Sequence, residues 1–197
     1  NVLLGSQNVT QPAVLNATVN KTDVNCFGAN NGAITITLPT GGSGSYEYRL
    51  NAGLWQASGS FTGLAPNSYT VQIRDAANPT CIVSLPGQTI NQPAELNATV
   101  SKTDMTCYNL NNGTITVSTP TGGSGSYQYR INMGGWQASG SFTGLAFGAY
   151  TVQMRDAAAT TCVKDLPSQT IVRPPLLNVT GVKTDVTCNG ANNGTIT

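Results

Sequence analysis

The chain has 197 residues, a formal net charge of +1, no histidine and only 9% charged residues. A chain this close to neutral presents no basic footprint for nucleic acid or an anionic membrane surface. It also has no apolar run of about 18 residues that would span a bilayer as a helix. The 22 glycines, the abundance of Thr, Asn and Ser, and apolar residues weighted to Val, Ile and Tyr predict short strands and many turns.

Self-similarity decides the architecture. Gln11-Pro12 recurs as Gln92-Pro93, PTGGSGSY at 39–46 recurs at 120–127, and WQASGSFTGLA at 55–65 recurs at 136–146. Cys26, Cys107 and Cys188 follow one another at 81-residue intervals, as do Cys81 and Cys162. Residues 1–10 read as the last strand of a preceding repeat. Residues 11–91 and 92–172 read as two complete repeats, and 173–197 as the first strands of a following one. A head of that size, with two strands, is not expected to be stable alone.

Within the first complete repeat, Leu15, Ala17 and Val19 alternate with polar residues and predict the opening strand. Asn30-Asn31-Gly32 is a turn, and Ile34, Ile36 and Leu38 then alternate with Thr35 and Thr37. Pro39 and GGSGS end that strand in what reads as a flexible loop. Tyr46, Tyr48 and Leu50 follow, then an Asn51-Ala52-Gly53 turn, and Trp55 and Phe61 mark two shorter strands. Tyr69, Val71 and Ile73 form the next strand, and the last runs from Cys81 to Ile90. About seven strands of period 2 in 81 residues, with no helical period, predict tandem immunoglobulin-like β-sandwich repeats.

The five cysteines have no CxxC spacing and no histidine to complete a zinc site, so disulfides in an oxidising compartment are the better reading. Pairing within each repeat, Cys26 with Cys81 and Cys107 with Cys162, is favoured, with Cys188 paired beyond Thr197. Each would close a loop of about 55 residues, on the order of 3–4 kcal/mol in the chain-entropy model. Geometry objects: in immunoglobulin order Cys26 and Cys81 fall at opposite poles of the sandwich. The alternative is a staple between neighbours, Cys26 of one repeat meeting Cys162 of the next.

No catalytic constellation is visible. Without histidine the usual general base is missing, and Asp23, Asp75, Asp104 and Asp156 each sit beside a turn, where capping is the expected role. Asp75 with Asn78, or Asp23 with Asn30, has the oxygen chemistry of a calcium site, but Asn78 becomes Ala159 in the second copy. No metal and no cofactor are expected. Trp55 and Trp136 are candidate ligand contacts for sugars, against the expectation that they fill the core. PTGGSGSY lacks the Lys-Ser/Thr ending of a phosphate loop.

Cys-Phe-Gly-x-x-x-Gly-x-Ile-Thr at 26–35, Gly-Gly-x-x-x-Tyr-x-Tyr at 41–48, Gly-Leu-x-x-x-x-Tyr-Thr-Val at 63–71, Asp75, Cys81 and Gln92-Pro93 together resemble the SprB-type repeat. That family is strung through very large cell-surface adhesins of Bacteroidota, including gliding-motility adhesins. The resemblance implies a non-enzymatic, extracellular, surface-attached spacer or adhesive stalk. Its partners would be neighbouring repeats of the same long chain, with surface glycans or self-association into filaments as further partners. It brings no catalytic residues. A carbohydrate-binding module acting through many weak sites is the alternative.

Overall fold

The computed structural model describes residues 8–197, and no helix occurs among them. The first unit contains β1 (Asn16–Thr22), β2 (Gly32–Thr40), β3 (Tyr46–Leu50), β4 (Ser60–Leu64), β5 (Asn67–Asp75) and β6 (Ile82–Ile90). The second contains β7 (Asn97–Thr103), β8 (Gly113–Thr121), β9 (Tyr127–Ile131), β10 (Ser141–Leu145), β11 (Gly148–Asp156) and β12 (Val163–Ile171). After these come only β13 (Lys183–Thr184) and β14 (Thr195–Ile196), paired with each other.

Each unit is two antiparallel three-stranded sheets, ordered β1-β2-β4 and β3-β5-β6 in the first and β7-β8-β10 and β9-β11-β12 in the second. No disulfide joins the two sheets of either unit. The count is six strands, where the sequence suggested about seven. Trp55 lies outside any strand, and its neighbour Gln56 joins the sheet through a two-bond bridge to Tyr48 (2.8 and 3.0 Å). The tail assigned to residues 1–10 falls largely outside the described residues, and residues 8–10 form no strand.

The alternation read in the sequence places Ile34, Ile36, Val71 and Ile73 on the inner faces, with Leu15, Val24, Tyr48, Leu85 and Ile90 completing the core. Burying a side chain of this size contributes about 1.5–3 kcal/mol. The second unit keeps the set with three exchanges: Ile73 to Met154 is close in volume, Val24 to Met105 adds volume and Ile36 to Val117 removes some. The gain and the loss offset one another, so both copies close the same way.

Chain direction gives each unit two distinct poles. The chain enters at a leading pole, which also carries the β2–β3 loop and the β5–β6 turn. It leaves at a trailing pole, beside the β1–β2 loop and the end of β6, where Val24 N–H donates to Asn91 O at 3.2 Å.

Candidate functional site

The leading pole is fixed by one buried carboxylate. Asp75, at the end of β5, is 2% exposed. Its Oδ2 accepts from Ser43 N–H (2.7 Å) and Asn78 Nδ2 (3.4 Å), and its Oδ1 accepts from Ser43 Oγ (2.6 Å) and Ala77 N–H (2.9 Å). The Ser43 hydroxyl, followed by the backbone and amide donors, outweighs burial and holds the carboxyl at about 2. At Asp156 burial pushes upward, but the Ser124 hydroxyl and the N–H groups of Ser124, Ala158 and Ala159 keep it below the ordinary carboxylate range. Backbone donation from Ala159 thus replaces the amide of Asn78. With its lone pairs taken by N–H and O–H donors, Asp75 caps its own turn and in addition fastens the loop 32 residues upstream.

The GGSGS segment is therefore not a flexible loop. Gly42 N–H donates to Ala13 O (3.1 Å), and Tyr46 Oη donates to Gly41 O (2.8 Å). At Gly41, with φ of 83°, a Cβ would overlap the carbonyl of Val14. Glycine is required there because the incoming linker lies directly on the loop. The second unit repeats the contact, with Gly123 N–H donating to Ala94 O (3.0 Å).

The trailing pole of the first unit abuts the leading pole of the second, and there Cys26 and Cys162 form a disulfide with a Cα–Cα distance of 5.4 Å. That separation lies in the usual range. The favoured pairing within a repeat is corrected: Cys81, Cys107 and Cys188 carry free, exposed thiols. Cys26 sits in the β1–β2 loop and Cys81 in the β5–β6 turn, at opposite poles, so a bond within the unit would require taking the sandwich apart. The linker is tied down on both sides. Asn91 N–H donates to Asp23 Oδ1 (2.8 Å), and Gly28 N–H donates to Gln92 Oε1 (2.8 Å). The Asn91 N–H, then Lys21, lowers the Asp23 carboxyl below its ordinary value, and Lys102 with Val172 N–H does the same for Asp104. Asn25, Cys26 and Phe27 line a pocket with Pro93, Leu96, Asp156 and Cys162, so surfaces from both units meet around the bond.

Trp55 and Trp136 do not fill the core. Trp55 is half-buried, and the guanidinium carbons of Arg49 and Arg74 lie 4.5 and 4.6 Å from its ring centre. Both arginines project from the outer face of the β3-β5-β6 sheet, because they alternate with buried Tyr48 and Ile73. Arg130 and Arg155 hold Trp136 in the same way, at 4.4 and 4.5 Å. Cation–π stacking of this kind is worth about 0.5–2 kcal/mol. Arg74 also bridges Glu47 (2.6 Å), and Arg49 Nε donates to Gln72 Oε1 (2.7 Å), so the cluster is knitted across strands. The tryptophans have no period-2 neighbours, and only the paired outward arginines signalled their place.

The fold and the junction together define a tandem β-sandwich repeat protein, with its successive units stapled covalently. The SprB repeat family model matches residues 18–54 and 99–135, spanning in each unit β1 to the loop after β3 or its counterparts. The model thus detects one SprB-like segment in each complete unit, in keeping with the resemblance read from the sequence. No curated protein matches the chain. Among the described residues no helix is long and apolar enough to cross a membrane.

Proposed function

We propose that this chain is a length of extracellular stalk, a non-catalytic spacer that holds an adhesive part of a large surface protein away from the cell. The bond between Cys26 and Cys162 carries the reading, because it joins consecutive units and closes neither one. Two covalent connections, the Gln92-Pro93 linker and the disulfide, restrain swivelling far more than a linker alone. A unit about 35–40 Å long, from a strand of roughly seven residues plus loops, makes the two-unit body a rod of about 70–80 Å. Small-angle scattering of the oxidised chain is expected to give that rod, and mild reduction should broaden the distribution of inter-unit angles. An unchanged profile on reduction would remove the staple from the argument.

The rival is weak multivalent glycan binding at the tryptophans. Their position on an outer face favours it, but the stacked arginines compete with any sugar for the ring. Loss of glycan-array binding in W55A/W136A, with folding intact, would turn the assignment to a binding module. The spacer reading expects no such binding from the parent chain.

A further inference from the structure

We infer that Cys81 and Cys107 are the two halves of the bond that Cys26 and Cys162 already make once, and that the leading pole around Cys81 takes the Cys107-type loop of another unit of this same design. The inference rests on the stalk reading and extends it from one joint to a continuous ladder. Cys81 occupies on the first unit the place that Cys162 occupies on the second, and Cys107 occupies the place of Cys26. The receiving surface is repeated as well. Cys81 lies in a pocket with Pro12, Leu15, Gly42, Asp75 and Ile82. These are the counterparts of Pro93, Leu96, Gly123, Asp156 and Val163, which line the pocket against Cys26 and Phe27. The Asp75–Ser43 lock and the linker-to-glycine bond that shape this pole are present in both units. On the first unit the pole exposes Val14 (74%) where the second carries Glu95, while Ile82 (43%) is exposed to the same degree as Val163 (45%) in the joint already formed. Its rim is therefore suited to an apolar or aromatic neighbour such as Phe27 or Tyr108.

The contact is heterologous: a trailing pole meets a leading pole, and neither can pair with its own kind in the same geometry. Such a contact propagates in file and does not close on itself. Each rung forms by thiol–disulfide exchange. The Cys107 thiolate attacks a small-molecule disulfide and releases one thiol. The Cys81 thiolate then attacks the mixed disulfide and releases the second. Two protein thiols lose two protons and two electrons in all, and the small disulfide is reduced to two thiols. In a ladder of this kind load passes through the disulfides and the short segments from Cys81 to Cys107 and from Cys162 to Cys188. The strands between Cys26 and Cys81 are bypassed.

Two full-length variants test this. C81S keeps the free thiols of Cys107 and Cys188, and C107S/C188S keeps Cys81 as its one free thiol beside the Cys26–Cys162 bond. Each is incubated in a glutathione redox buffer, alone and mixed, and mapped by non-reducing peptide mass spectrometry. The mixture is expected to yield covalent dimers with a Cys81–Cys107 peptide, while C107S/C188S alone stays monomeric. The same map should retain Cys26–Cys162 in every species. Cys81–Cys81 dimers of C107S/C188S, or no Cys81-containing dimer in the mixture, would overturn the ladder. If Cys26–Cys162 itself were missing from the monomer, the stapled stalk would fail as well, so the two failures are distinguishable.

Discussion

Residues 173–197 repeat the opening of each complete unit, yet the same sequence pattern has a different fate there. Ile34 and Ile115 are fully buried, while their counterpart Ile196 is 89% exposed. Leu15 and Leu96 are core residues, and Leu177 is 95% exposed. The hairpin that runs the length of β1–β2 in a unit shrinks to two residues on each side in β13–β14. What separates them is the second sheet. Period-2 alternation specifies which face is apolar, but the strands lengthen only where β3-β5-β6 supplies something to bury against. The bonds local to the loop persist without it: Asn193 links back to Thr187 N–H and Oγ1, just as Asn112 links back to Thr106.

The largest difference between these regions is mechanical. Cys26 and Cys162 are 136 residues apart, so in an oxidised chain pulled from its ends both units lie mostly behind the bond while the head lies outside it. Single-molecule extension in reductant should release roughly 450–490 Å more contour than in oxidant, at 3.3–3.6 Å per residue. Equal contour in both conditions would show that the staple does not form.

Core truncation gives the next contrast. Ile115→Ala removes a fully buried side chain between the two sheets and should destabilise its unit by about 2–5 kcal/mol in urea denaturation. Ile196→Ala should leave the same curve unmoved.

Glycine substitutions separate a pinned loop from an open one. Gly41→Ala drives a Cβ into the linker carbonyl as well as straining a positive φ, and should cost about 3 kcal/mol. Gly28→Ala, also at positive φ but with open space around its Cβ, should cost about 1 kcal/mol. Equal losses at Gly41 and Gly28 would break the claim that the GGSGS loop is held by the linker.

The smallest expected effect is on pH dependence. The Asp75 carboxyl lies at about 2 in the fold against 3.8 ordinarily, so its contribution is present above about pH 4 and is lost as pH falls toward 2. Asp156 is lowered too and acts in the same sense. Thermal melts should therefore fall through this acid window, and Asp75→Asn should flatten the dependence of the first unit while lowering its stability at neutral pH. An unaltered acid profile in that variant would remove Asp75 as the source.

The 81-residue recurrence, the strands of alternating Ile, Val and Thr, and the turn at Asn51–Gly53 were legible from the sequence. Each depends on residues within a few positions of one another, and local backbone geometry suffices to read them. The turn read at Asn30–Gly32, by contrast, falls earlier, at Asn25–Gly28, and Gly32 already opens β2. Three things were settled only in three dimensions. The partner of Cys26 depended on which poles of consecutive sandwiches meet, a relation spanning 136 residues. The rigidity of GGSGS depended on a carboxylate delivered from β5, which composition cannot announce in a glycine-rich loop. The outward place of Trp55 depended on Arg49 and Arg74 arriving together from two paired strands. Local pattern specifies which face of a strand is apolar, but the meeting of groups far apart in the chain is decided by the packing of one sheet on another and one unit on the next.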